Sequence, residues 1–139
     1  MNYMSPQLPV AKKILIVEDD DYLRDLYVET LEGEGFYVES AADGEEGYKK
    51  LFHGGYDLAL LDIMLPKMNG LTILERIQKQ TPAINPNGAI VMLSNLGQET
   101  TIAKAVSLGA RGYMMKSDYT PAQVIFKVKE YLGITEAAA

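Results

Sequence analysis

Two groups of carboxylates stand where apolar runs stop. Glu18-Asp19-Asp20-Asp21 follows Ile14-Leu15-Ile16-Val17, and Asp62 follows Leu58-Ala59-Leu60-Leu61. Each group marks the expected end of a buried strand, and in an open α/β sheet ligands bind at strand ends. Carboxylates gathered at one place repel one another unless a cation joins them. The chemistry this predicts is a metal site that handles phosphate. Two more strand ends carry polar groups: Ser94 follows Val91-Met92-Leu93, and Lys116 follows Tyr113-Met114-Met115. In a parallel sheet these ends point the same way. The set is then an acid pair, an acid, a hydroxyl and an amine around one pocket.

Each residue also has an ordinary role. An acid after a first strand often caps the next helix, and Asp19 or Asp20 is expected to do so. Ser94 alone reads as a cap or turn former, and Lys116 alone as a solvated charge. Asp62 alone reads as a turn residue ahead of Pro66, yet a fully apolar strand is a costly place to end on a lone charge. The joint placement carries the weight. Carboxylates with a backbone carbonyl suit a hard cation that keeps several waters, which is Mg²⁺. Asp62 could then attack phosphorus as a carboxylate nucleophile. Lys116 and Ser94 would grip the phosphoryl oxygens. Such a transfer asks the protein mainly for position and counter-charge.

The elements that must position these groups alternate strand and helix from Lys12 onward. Strands are predicted over Lys13–Val17, Phe36–Ala41, Tyr56–Leu61, Ala89–Leu93 and Arg111–Met115. Helices are predicted over Asp20–Glu34, Asp43–Phe52, Leu71–Gln80, Glu99–Leu108 and Pro121–Leu132, the last with proline at a favoured early position. Gly35 ends the first helix, and Pro66–Gly70 is a turn. Thr81–Gly88, with two prolines, reads as a loop. The domain is expected over 12–134, with a loose arm at 1–11 and a tail at 135–139. Strand–helix units in succession argue for a parallel sheet covered by helices on both faces.

The bulk properties narrow the class. The 139 residues fit one domain. No cysteine is present, which excludes disulfides and thiolate metal sites. The net charge of -6 and the lack of a basic run argue against nucleic-acid binding. No apolar stretch is long enough for a bilayer, and the N-terminus is no signal peptide. A soluble cytoplasmic protein is the expectation.

At Ile14-Leu15-Ile16-Val17-Glu18-Asp19-Asp20, Leu60-Leu61-Asp62-Ile63-Met64-Leu65-Pro66, Gly70, Met92-Leu93-Ser94 and Gly109-Ala110-Arg111-Gly112-Tyr113-Met114-Met115-Lys116, the chain resembles the receiver domains of two-component response regulators, the CheY-like family. The resemblance runs from Lys12 to about Leu132. It implies a flavodoxin-like, doubly wound sheet of five parallel strands in order 2-1-3-4-5 with five helices. It implies Asp62 as phosphoacceptor, and Glu18, Asp19 and Asp62 with the Met64 backbone carbonyl as Mg²⁺ ligands. It further implies Lys116 as the partner of the phosphoryl group, with Ser94 and Tyr113 as the switch pair. The implied phosphodonor is a histidine kinase or a histidine phosphotransfer protein. The implied target binds the face made by the fourth helix, fifth strand and fifth helix in the phosphorylated state. A stand-alone regulator, monomeric or weakly dimeric, is expected. It would promote its own phosphorylation and slow dephosphorylation without being an enzyme in the usual sense. A receiver cut from a larger regulator or hybrid kinase is the alternative.

Several details refine that reading. Many receivers place a cis proline after the lysine, whereas here Ser117 follows Lys116. A cis bond before serine costs about 2.5–4 kcal/mol, so either a strained cis bond or a rearranged loop is expected. Met64 and Asn95 flank the path of the water that would attack the acyl phosphate, and bulky Met64 should lengthen its life. Tyr22, Leu23 and Leu26 form a candidate docking patch for the donor. The lone His53 suits a helix C-terminus, and the donor histidine is expected on a partner. A phosphatase of the haloacid-dehalogenase type shares the aspartate, Mg²⁺, Ser and Lys. There, however, the nucleophile comes first, with a second aspartate two residues on, where this chain has Met64. A flavodoxin lacks support because no Ser/Thr-rich loop follows the first strand. A phosphorylation-independent scaffold does not explain the complete polar set.

Overall fold

Side-chain alternation along the strands decides the layers. A computed structural model of the chain describes residues 11–80 and 85–134. Residues 1–10 of the expected arm, 81–84 of the proline-containing loop and the 135–139 tail lie outside the described residues. The strands are β1 (Lys13–Val17), β2 (Tyr37–Ala41), β3 (Leu58–Leu61), β4 (Ala89–Ser94) and β5 (Gly112–Met115). Between and after them run α1 (Asp21–Gly33), α2 (Gly44–His53), α3 (Gly70–Gln78), α4 (Glu99–Ser107) and α5 (Pro121–Tyr131). All pairings are parallel, in the order β2-β1-β3-β4-β5.

On one face Ile14, Ile16, Leu58, Leu60, Val91 and Leu93 pack against Tyr27 and Leu31 of α1 and Val124, Ile125 and Val128 of α5. On the other, Leu15, Val17, Ala59, Leu61, Ile90 and Met92 pack against Leu51 of α2, Ile73 and Leu74 of α3 and Ala105 of α4. Both faces of β1, β3 and β4 are therefore covered, which explains their continuous apolar runs. Full burial of each large aliphatic contributes about 1.5–3 kcal/mol. Among the described residues no helix is long and apolar enough to cross a membrane.

Helix starts follow side-chain caps. Asp20 accepts the Leu23 N–H at 2.9 Å, Asp43 that of Glu46 at 2.8 Å and Asn69 that of Thr72 at 2.9 Å. Thr120 and Gln123 form a reciprocal capping box. The residues expected to start α1 and α2, Asp20 and Asp43, are thus their caps, and each helix begins one residue later. The sheet gains a strand residue at Ser94 and loses Tyr56 and Asp57, whose carboxylate accepts the Lys13 N–H at 2.8 Å. After β5, Lys116–Asp118 forms one turn of 3-10 helix that leads toward α5. Ser117, the residue after Lys116, lies within that turn.

Two glycines let the loops at the strand ends close. A Cβ on Gly44 would stand 1.6 Å from the Met68 carbonyl oxygen, and one on Gly70 would stand 2.1 Å from that of Asp62. The β3–α3 loop rests directly on the start of α2 through Gly44 N–H to Pro66 O at 3.0 Å.

Candidate functional site

The sheet ladder runs one residue beyond β1 and β3. The Glu18 N–H donates to Ala41 O and the Asp62 N–H to Val17 O, each at 3.1 Å. Glu18 and Asp62 are thereby fixed as neighbours at the C-terminal edge. Lys116, immediately after β5, reaches across to both. Its Nζ lies 2.5 Å from Glu18 Oε1 and 2.6 Å from Asp62 Oδ2. The three side chains are only 3%, 7% and 11% exposed for Glu18, Asp62 and Lys116. Asp62 Oδ1 accepts the Ile63 N–H at 2.7 Å.

Electrostatics differ between the partners. Burial alone would lower the Lys116 pKa, but hydrogen bonds and negative charge from Asp62 and Glu18 outweigh it and hold the ammonium above its ordinary range. Burial raises Glu18 above the usual carboxylate range. Lys116 opposes that shift, and the nearby charge of Asp62 adds to it. One lysine with two carboxylates leaves the acids short of positive charge.

Asp20, not Asp19, caps α1, so Asp19 is left exposed at the rim. Carboxylate oxygens of Glu18, Asp19 and Asp62 all lie within 4.8 Å of one another. Buried Glu18 Oε1 has no hydrogen-bond donor beyond its ion-pair contact with Lys116. An all-oxygen donor set with an underserved carboxylate fits a hard divalent cation.

A cavity of about 310 Å³ opens over these groups, lined also by Ser94, Asn95 and Met64. Ser94 is 1% exposed, and its Oγ accepts the Leu96 N–H at 3.3 Å. Asn95 is exposed, and Met64 is 65% exposed at the rim. The Tyr113 ring packs partly buried against the α2–α4 side of the core, and its hydroxyl donates to the Leu96 carbonyl. Burial raises the Tyr113 phenol pKa, against the opposing effect of a hydrogen bond with Ser94. The structure therefore brings Glu18, Asp19, Asp62, Met64, Ser94, Asn95 and Lys116 around one cavity, with Tyr113 joined to it through Leu96. His53 is exposed at the C-terminal end of α2, away from the residues lining this cavity.

Three contributors were not singled out. Leu96 ties Ser94 and Tyr113 through its backbone, which its side-chain type cannot reveal. Tyr27, 3% exposed, lies within electrostatic reach of Lys116, Glu18 and Asp62. Arg24 donates to the Glu18 carbonyl at 2.9 Å. A cation in the first turn of a helix, against the dipole, was the available signal for it.

The family model described as response regulator receiver domain matches residues 14–128. The chain belongs to the receiver domain family of response regulators. The receiver is 35% identical over 130 residues to the transcriptional regulatory protein SrrA of Staphylococcus aureus, a match covering 92% of this chain and 51% of SrrA. The chain thus spans about half the length of that relative. Among solved structures, a CheY-like receiver domain protein from Methanospirillum hungatei is 35% identical with a TM-score of 0.79, covering 89% of this chain and 95% of that one. The BeF3-activated N-terminal receiver domain of Klebsiella pneumoniae RstA is 28% identical with a TM-score of 0.75, covering 87% and 98%. The receiver accordingly belongs to two-component signalling, in which such domains take phosphate from histidine kinases.

Proposed function

We propose that this receiver accepts a phosphoryl group on Asp62 from a phosphohistidine of a histidine kinase or phosphotransfer protein. The observation that carries this reading is the Lys116 ammonium seated between Asp62 and Glu18 in an acid-lined pocket. Asp62 oxygen attacks phosphorus, the donor P–N bond breaks, and the leaving imidazole takes up a proton. Lys116 then balances the new phosphoryl charge, and the Ser94 hydroxyl donates to a phosphoryl oxygen. Mg²⁺ held by Glu18, Asp19, Asp62 and the Met64 backbone carbonyl would supply further positive charge to those oxygens. The receiver acts as a self-promoting phosphoacceptor and slow autophosphatase, with no turnover of a free substrate. Met64 and Asn95 at the rim govern water access, and Met64 favours a moderately long-lived acyl phosphate.

Output runs through the face of α4, β5 and α5. Ser94 and Tyr113 both bond to Leu96 in the loop that enters α4, so capture of Ser94 by phosphate shifts that loop. Val106 of α4 is 56% exposed, giving the face an apolar contact for a partner protein. The match to half of SrrA favours a second form of this reading, in which the partner is an effector domain.

Acetyl phosphate with Mg²⁺, followed by a phosphate-affinity gel, tests the proposal. Wild type should give one retarded band that Asp62→Asn and chelation both remove. A band that survives Asp62→Asn contradicts it. Turnover of a simple phosphate ester without a phosphoprotein would favour the phosphatase instead.

A further inference from the structure

Asp19 is the least supported member of the acid set. Among the described residues its carboxylate has no hydrogen-bond or ion-pair partner, unlike those of Glu18 and Asp62. With no partner to hold it, the fixed constraint on its carboxylate is the Cα–Cβ direction set by the backbone that carries it. That backbone is a turn between β1 and α1. The Asp20 carbonyl starts the helix by accepting the Arg24 N–H at 2.9 Å, which leaves the Glu18 carbonyl outside the helical ladder. Arg24 Nη1 donates to that carbonyl at 2.9 Å, while Nη2 donates to Asp21 Oδ1 at 2.6 Å. The Arg24 side chain is 15% exposed. Two bonds from one planar guanidinium fix its orientation. The peptide that joins Glu18 to Asp19 is itself planar. Holding its oxygen therefore holds the adjoining torsions of Glu18 and Asp19 together.

We propose that Arg24 is a positioning residue for the acid pair: by gripping the Glu18 carbonyl it sets the direction in which Asp19 presents its carboxylate to a divalent cation. The inference rests on the metal reading given above. Arg24 touches neither the cation nor phosphate. Its placement against the helix dipole is offset by these two acceptors.

The test is calorimetric titration of the full chain with Mg²⁺, beside thermal melts without the ion. Arg24→Met keeps the apolar stem and removes both donors. It should weaken Mg²⁺ binding roughly tenfold, as loss of an outer support for metal ligands does, with little change in melting temperature. Arg24→Lys can still donate to the carbonyl and should stay within roughly threefold of wild type. Equal binding by wild type and Arg24→Met overturns the inference, as does a Lys variant as weak as the Met variant. Should Arg24→Met not fold, Arg24→Leu takes its place, with a roughly tenfold loss expected and wild-type binding overturning the clamp. Wild type that takes up no Mg²⁺ removes the metal reading and this inference with it. Normal wild-type binding with an indifferent Arg24→Met removes only the role of Arg24.

Discussion

Lys116 serves two buried carboxylates at once, at 2.5 and 2.6 Å. Removing one partner of a buried pair leaves the others uncompensated, which is far worse than never having built the pair. Lys116→Met should therefore lower stability in Mg²⁺-free buffer by about 3 kcal/mol at neutral pH, read from urea unfolding. The deficit should shrink as pH falls, because neutral acids no longer need the ammonium. An unchanged urea midpoint would show that water, not Lys116, satisfies these acids. At this scale the sequence was readable wherever a polar residue follows an apolar run, as with Glu18, Asp62, Ser94 and Lys116. It was silent on Leu96, which works through a main-chain amide and carbonyl that every residue possesses, and for Arg24 it offered only a cation near a helix start.

Elements are held to one another by close approaches and by polar contacts at the strand starts. A methyl group on Gly70 would press on the Asp62 carbonyl at 2.1 Å and on the Ile63 Cα at 3.0 Å, both backbone atoms with little freedom to yield. Gly70→Ala should cost on the order of 2–3 kcal/mol and slow phosphorylation by displacing Asp62. Wild-type stability in the alanine protein would contradict the packing described. At the opposite end of the sheet, Glu39 of β2 meets Lys13 at 3.1 Å, Lys50 at 3.3 Å and the Tyr56 hydroxyl at 2.9 Å. Burial acts to raise its pKa, but hydrogen bonds from Lys13, Tyr56 and Lys50 prevail and hold it below the ordinary 4.5. A depressed carboxylate contributes stability above its unfolded pKa and loses it as pH falls through the folded one. The advantage of wild type over Glu39→Gln should be full at neutral pH and fade below 4.5. A difference that stays flat through acid would remove the network from the account. Element order and type were legible because strand runs are short and apolar while helices open on Asp20, Asp43, Asn69 and Thr120. The 3-10 turn at Lys116–Asp118 was not, since its single turn has no periodicity to detect.

Over the whole molecule, the parallel order β2-β1-β3-β4-β5 gathers residues from distant stretches at one edge. Glu18 and Asp62 are neighbours because β1 and β3 are adjacent, although α1, β2 and α2 separate them in sequence. Lys116 completes the set from the edge strand β5, two strands away from β3. This convergence was legible from the alternation of strand and helix, because parallel strands must end on the same side. The central claim is that Asp62 carries the phosphoryl group. Borohydride reduction of the acetyl phosphate-treated protein converts an aspartyl phosphate to homoserine, which peptide mass spectrometry then locates. The account predicts homoserine at position 62 in the presence of Mg²⁺ and none in Asp62→Asn. Homoserine at any other aspartate, or phosphate recovered on His53, would contradict it.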